Sequence, residues 1–407
     1  MDNFRHDFNS IAQCGILANG GLTRLALSPP DQEARAYLIK IMREEGLKVH
    51  IDAAGNIHGL LEGRNPELAA VAIGSHLDSV PQGGHYDGVI GVLAGIEVAR
   101  RLKSADLHPL RSLKIVNFSA EESSRFGVAT LGSKAITGKI TTEELKQITD
   151  NEGTSFYTAL QQSGCDIDAL THEVIGKDDI YAFLELHIEQ GGILERKNID
   201  IGLVTAIAAP SRFDLTLTGR SDHSGNTPMH MRRDALAGAA EVVLAVEDIA
   251  CNSGVSGVGT VGVLKVEPGA MNVVPGRVHL QIDIRDTSME AKNHAVAELQ
   301  RRIELIAQKR NLGISIKMLC NDEPITLDST LRKRIQHLAC TMNITTMEMI
   351  SGAGHDAMHF AAIAPTALLF IPSIEGISHN INEQSSFEAI AKGIELLYAC
   401  VQDLTAA

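Results

Sequence analysis

Four short apolar runs constrain this chain more than anything else in it: "AAVAIGS" at 69–75, "LKIVNFS" at 113–119, "YAFLELHI" at 181–188 and "PTALLFI" at 365–371. Each reads as a strand buried on both faces, because Val, Ile, Leu and Ala dominate it with no regular polar alternation. Helical patterns separate the runs, among them "GVLAGIEVARRLKS" at 91–104 and "STLRKRIQHLACTM" at 329–342. Strands covered by intervening helices predict a mostly parallel α/β sheet.

Between residues 211 and 327 the pattern changes. "RFDLTLTG" alternates like a half-buried strand, "RRDALAGAAEVVLAVEDIA" is an amphipathic helix, and "GTVGVLKVEP" and "GRVHLQIDIRD" are strands joined by a Gly/Pro/Asn turn. The helix "SMEAKNHAVAELQRRIELIAQKRN" and the strand "GISIKML" follow. That order is β-α-β-β-α-β, a ferredoxin-like split βαβ sandwich, and the α/β pattern resumes after it. The expected architecture is therefore a discontinuous main domain, 1–210 with 328–407, carrying an inserted lid-like domain over 211–327. A chain of 407 residues with 44% hydrophobic content has the material for both cores.

With 36 Lys+Arg against 50 Asp+Glu, the formal net charge is -14. Such a surface argues against a nucleic-acid or anionic-membrane partner and favours a small-molecule ligand. The six cysteines are widely spaced, with no CxxC pair, and read as reduced thiols. No apolar run approaches the roughly 20 residues that span a bilayer, and "MDNFRHDFNSIAQ" lacks a cationic head before an apolar core. A cytoplasmic protein is the expectation.

Ligands of open α/β sheets gather at the carboxyl ends of strands. There the four runs carry His76 and Asp78; Glu121 and Glu122; His187, Glu189 and Gln190; and, beyond the last, His379 of "GISHN". Asp87 lies in the glycine-rich loop that opens a helix. Singly, each has an ordinary explanation: a lone His hydrogen-bonds, and Glu in "EESS" favours the first turn of a helix. Together they predict a metal centre, since mixed His, Asp and Glu ligation suits Zn, Mn, Co or Ni. Two such ions need a bridging carboxylate, and Asp87 is the natural one. Asp78, two residues from His76 and on the same side of an extended segment, is expected to orient that imidazole. Adjacent Glu121 and Glu122 divide the labour, one free for proton transfer and the other binding metal. Gly83 and Gly84 are expected to turn the chain so that His76 and Asp87 meet. His85 competes weakly as a ligand. His355 and His359 have i, i+4 spacing but lack the glutamate of HExxH, and His355 is expected to support the pocket.

These residues bring out a resemblance. "GSHLDSVPQGGHYDGVIGVLAG", "SAEESSRFG", "ELHIEQG", "DHSGNTPMHMRRDA", "MNVVPG", "SGAGHDA" and "GISHN" resemble, in order and spacing over nearly the whole chain, the aminoacylase and carboxypeptidase-type superfamily of dinuclear metal hydrolases. The nearest branch is that of N-carbamoyl-L-amino acid hydrolases, β-ureidopropionase and allantoate amidohydrolase. The resemblance implies that His76, Asp87 and His187 bind one metal and Asp87, Glu122 and His379 the other, with Glu121 as general base and acid. It further implies that His223 stabilises an oxyanion, that Asn272 and Arg285 grip a substrate carboxylate, and that Gln190 lines the pocket. An arginine fork suits such a grip, although Arg285 can equally pair with Asp283 or Asp286. The inserted domain is expected to form a homodimer, in which His223 can reach the neighbouring site. The reaction implied is cleavage of the ureido C–N bond of an N-carbamoyl-L-amino acid to the L-amino acid, ammonia and carbon dioxide. Allantoate is the alternative substrate, and a dipeptidase or aminoacylase reaction the more distant one.

Overall fold

The computed structural model describes residues 1–254 and 256–406. The chain divides into two compact units: Met1–Thr205 with Leu327–Met349 and Gly354–Ala407, and Ala206–Thr326 with Ile350–Ala353.

The first unit is built on a twisted sheet whose strands include β1 (Lys48–Ile51), β2 (Ile57–Leu61), β3 (Ala70–His76), β4 (Leu113–Phe118) and β5 (Ile180–Ile188). The order is β1-β2-β4-β3-β5, followed by Thr366–Ile371 and Ile201–Ile207. The middle of the sheet, β4-β3-β5 and Thr366–Ile371, is parallel. Its flanks, β1-β2-β4 on one side and Ile201–Ile207 on the other, are antiparallel. The parallel strands are the four apolar runs, and every residue of β3 and of Thr366–Ile371 is buried. The helices Val89–Ser104 and Phe387–Thr405 pack on this sheet, with Ile96, Ile394 and Leu397 in one core with Ile73, Leu184 and Ile371. Each such side chain contributes about 1.5–3 kcal/mol of burial. Helix starts follow the sequence: the Ser386 and Asp328 side chains accept the amides of Ala389 and Leu331 at the N-termini of Phe387–Thr405 and Ser329–Thr341.

The second unit is a four-stranded antiparallel sheet in the order Gly313–Asn321, Ala209–Thr218, Arg277–Asp286, Val258–Glu267. One face alternates Phe213, Leu215 and Leu217 with Val278, Leu280, Ile282 and Ile284 across the strands. It is covered by Val242, Val246 and Ile249 of helix Ala235–Asn252 and by Leu299 and Ile303 of helix Met289–Arg310. Asp234 and Ser288 cap those helices. A short ribbon, Asp222–His223 against Val273–Val274, stands beside the sheet. All six cysteines are free thiols, and among the described residues no helix is long and apolar enough to cross a membrane.

Candidate metal centre

Asp87 organises the polar residues at the carboxyl end of the parallel strands. Its Oδ1 faces His187 Nε2 at 2.9 Å and His76 Nε2 at 3.6 Å. Its Oδ2 faces His379 Nε2 at 3.1 Å and accepts from Gln190 Nε2 at 2.7 Å. His379 Nε2 in turn lies 3.2 Å from Glu122 Oε1. Ligand atoms of His76, Asp87 and His187 lie within 4.8 Å of one another, and so do those of Asp87, Glu122 and His379. One carboxylate thus turns its two oxygens toward two different donor sets. Glu121 Oε2 is 3.6 Å from His76 Nε2, and Glu121 belongs to neither set.

The rings are aimed by backbone. His76 Nδ1 donates to the carbonyl of Asp78 and His187 Nδ1 to that of Ile188, both at 2.9 Å. A carbonyl only accepts, so each Nδ1 carries hydrogen and Nε2 is presented to Asp87. Asp78 thus meets His76 through its backbone carbonyl, and its carboxylate has another task. It accepts the amides of Glu121 at 3.2 Å and Glu122 at 3.0 Å, while standing 3.7 Å from His76 Nδ1. Ala120, just before the pair, has a φ of 52°, a strained value for a side-chain-bearing residue at the turn that splits the two glutamates.

Between His76 and Asp87, Gln82 is left-handed at φ 53°, and Gly88, just past Asp87, is so at 69°; Gly83 and Gly84 are not. A Cβ on Gly88 would lie 2.5 Å from the His76 ring, and one on Gly84 would lie 2.3 Å from Glu383. These glycines serve close approach to their neighbours. His85 bonds the carbonyl of Gly20 at 3.0 Å, Glu189 accepts the amides of Ile193 and Leu194, and His359 meets Thr130 Oγ1 at 2.8 Å. His355 packs edge-on against His187, with ring centroids 4.6 Å apart.

Glu383 escaped the sequence reading. It is 1% exposed, and its Oε1 accepts the amides of Tyr86 and Asp87 at 3.0 and 3.1 Å. Its Oε2 accepts the Ser378 hydroxyl at 2.7 Å and the His379 amide at 3.2 Å. One carboxylate therefore joins the loop of Asp87 to that of His379. Nothing in "INEQSS" signals this, because the contact forms between residues almost 300 positions apart.

Charge in the cluster is tightly opposed. Burial works against an imidazolium at His76, yet Glu121, Asp87 and Asp78 hold its pKa well above the ordinary value. His187 is raised too, against its burial, chiefly by Asp87. Hydrogen bonds to Asp87 and Glu122 push His379 up to about 11. Burial alone would raise Asp87, but His187, His379 and His76 pull it well below the carboxylate range. Burial raises Glu121 well above that range, with His76 opposing and Glu122 reinforcing the shift, and raises Asp78 to about 7. Buried Asp87, held ionised, demands positive charge where imidazole nitrogens and carboxylate oxygens converge, a donor set that suits a divalent ion.

The second unit holds the remaining site candidates. His223 Nδ1 accepts the amides of Gly225 at 3.1 Å and Asn226 at 3.2 Å, and its ring is exposed. Exposed Asn272 accepts the Ser224 amide on its carbonyl. The Arg285 fork pairs with Asp283 at 3.0 and 3.1 Å, and its Nη1 donates to the Gly352 carbonyl at 2.8 Å.

A mainly parallel α/β unit with imidazoles and carboxylates gathered at its strand ends defines the class as a metal-dependent hydrolase. Residues 72–403 match Peptidase family M20/M25/M40, and the chain belongs to that family. It is 38% identical over 401 residues to a ureidoglycolate hydrolase of Oryza sativa subsp. japonica, covering 97% of this chain and 83% of that one. It is also 38% identical over 403 residues to an N-carbamoyl-L-amino-acid amidohydrolase of Pseudomonas sp. (strain NS671), covering 98% and 97%. Identity to the allantoate amidohydrolase of Escherichia coli (strain K12) is 36% over 378 residues, covering 93% and 92%. The solved structure of a hydantoinase/carbamoylase family amidase from Burkholderia multivorans matches with a TM-score of 0.93 at 33% identity, covering 100% of this chain and 98% of that one. The chain is accordingly an amidohydrolase acting on C–N amide bonds.

Proposed function

We propose that this amidohydrolase cleaves the ureido C–N bond of N-carbamoyl-L-amino acids, releasing the L-amino acid, ammonia and carbon dioxide. The observation that carries the reading is Asp87, whose two oxygens face two donor sets beside the uncommitted Glu121. His76, Asp87 and His187 would hold one divalent ion and Asp87, Glu122 and His379 a second, Zn, Mn, Co and Ni all suiting these ligands. Bound there, such ions lower the pKa of water and polarise a carbonyl.

Glu121 is the general base and acid: it takes the proton of the attacking water and delivers it to the departing nitrogen. A carboxyl whose pKa burial holds high keeps that proton long enough to pass it on. Gln190, anchored on Asp87, lines the pocket, and Asp78 fixes Glu121 and Glu122 through their amides. From the second unit the reading takes His223 as oxyanion donor, since two amides on Nδ1 leave hydrogen on Nε2. Asn272 and Arg285 grip the α-carboxylate; N–H groups of the guanidinium beyond those bound to Asp283 and Gly352 remain for it. Whether each lid residue serves its own subunit or a partner, the reading includes a homodimer formed through the second unit. Supporting that, the edge strand Gly313–Asn321 exposes Ile314, Ile316, Met318 and Leu319, an unpaired edge of the kind that adds a second copy. Sedimentation at micromolar concentration is expected to give about twice the 43.7 kDa chain mass.

The names of the relatives span N-carbamoyl amino acids, allantoate and ureidoglycolate, all of which set a ureido group beside a carboxylate. Allantoate is therefore the second reading. Side-by-side turnover of N-carbamoyl-L-methionine, allantoate and ureidoglycolate by metal-reconstituted enzyme decides: preference for the first supports the proposal, and preference for another replaces it. Activity on none removes the ureido reading altogether.

A further inference from the structure

The first unit carries a cleft outside the metal centre. Lys114 occupies the second position of β4, and its cross-strand neighbours are Leu60 of β2 and Ala72 of β3. Its side chain therefore rises from the interior of the sheet. Lys48 pairs with Leu60 and His50 with His58, which puts these side chains on the same face as Lys114. A cleft of about 360 Å³ opens above them, with Leu60, Ile136 and Ile175 as apolar walls. That volume is in the range of small-molecule sites. Lys114 stands at the other end of β4 from Glu121 and Glu122, which follow its carboxyl end.

Among the described residues, the charged groups of the cleft are paired except for Lys114. Lys48 pairs with Glu62 at 2.5 Å, His50 lies 3.5 Å from Glu173, and His58 Nε2 is 2.8 Å from Asp52. Lys114 has no ion pair or side-chain hydrogen bond among the described residues, and burial pulls its pKa down, with Asp179 and Asp52 opposing the shift. The His58 Nδ1 is also buried without a hydrogen-bond partner among the described residues. A lysine raised from mid-sheet into an apolar-walled cleft, with no carboxylate in ion-pair contact among the described residues, costs stability that a bound anion recovers.

We propose that this cleft is a second ligand site, taking a small organic carboxylate whose anionic end meets Lys114 and whose apolar body lies against Leu60, Ile136 and Ile175. One uncommitted cation matches a monoanion. Phosphate, with more charge, would face Asp52 and Glu173 with no second free cation to balance it. The inference does not depend on the ureido reaction.

Crystals of the metal-loaded full chain grown with 4-bromobutanoate test it through the bromine anomalous signal. A peak between Ile136 and Ile175 is expected, with the carboxylate on Lys114. It should vanish in Lys114→Met and in Ile175→Trp, which fills the cleft from its rim without removing charge. In solution, the butanoate saturation-transfer signal assigned to the cleft should weaken at least tenfold in both variants, and equimolar inorganic phosphate should leave it unchanged. A cleft free of bromine, a peak that persists in Lys114→Met, or displacement by phosphate overturns the proposal. Because a peak at the metal centre is read separately, failure here leaves the reaction assignment untouched.

Discussion

At the scale of single residues, adjacent Glu121 and Glu122 meet different neighbours because the chain reverses at Ala120, φ 52°, and Asp78 pins both following amides. Glu122 meets His379, while Glu121 stays buried near His76. Replacing Glu121 with Gln keeps the shape and removes the titratable proton. Turnover should fall by at least 10²–10⁴-fold, the usual contribution of a general base or acid, while metal analysis still finds close to two ions per chain. Retained turnover would place the proton transfer elsewhere. Glu383→Gln makes a different prediction, because Glu383 touches the Asp87 and His379 backbones rather than their side chains. An amide accepts through one oxygen only, so one of the two loops is released, and metal affinity should drop about 10–100-fold. Equilibrium dialysis at fixed pH measures this; unchanged affinity would mean that the loops hold without it. The sequence disclosed His76, Asp87, Glu122, His187 and His379 as candidates because each follows an apolar run or a glycine-rich turn. It did not disclose Glu383, whose partners are remote in the chain, nor which atom of Asp78 would meet His76.

At the scale of elements, the four parallel strands were legible because burial on both faces forces a continuous apolar run. The antiparallel flanks were not: β1 is half-exposed "KVHI", too short and too polar to stand out. In the second unit, strict alternation in Arg277–Asp286 marked a half-covered sheet, and the helices over it were readable as helical runs, with Asp234 and Ser288 proving to cap them. Gly88, which opens helix Val89–Ser104, did not stand out in the sequence. Gly88 combines a left-handed φ of 69° with a Cβ position 2.5 Å from the His76 ring, a spatial demand that spacing cannot reveal. Gly88→Ala should therefore cost about 1–3 kcal/mol in backbone strain and push the imidazole away from Asp87. Denaturant titration together with metal content tests both parts. An alanine variant that binds metal normally would show that the loop relaxes without disturbing His76.

At the scale of the whole molecule, the metal centre couples folding to protons. Without an ion, His379 is held near 11 by Asp87 and Glu122, and His76 and His187 are raised as well. Groups with raised folded pKa values stabilise the ion-free fold fully below the unfolded imidazole value of about 6.5, and that contribution is lost as pH rises toward the folded value. Binding a divalent ion through Nε2 requires the neutral ring, so loading expels protons and tightens as pH rises, by up to about tenfold per pH unit for each proton released. The two effects have opposite signs. The ion-free chain should lose stability as pH rises from about 6.5 toward about 11, while the metal-loaded chain gains relative to it. At a free metal concentration about a hundred times Kd the ion adds about 2.7 kcal/mol, roughly 5–10 °C in the melting temperature of a unit this size. Calorimetry of chelated and reconstituted protein across that range should show a gap in Tm that widens with pH, and titration of metal into the chelated protein should give a heat that varies with the ionisation enthalpy of the buffer. A gap that narrows as pH rises would mean that the imidazoles facing Asp87 are not the groups that receive the ion.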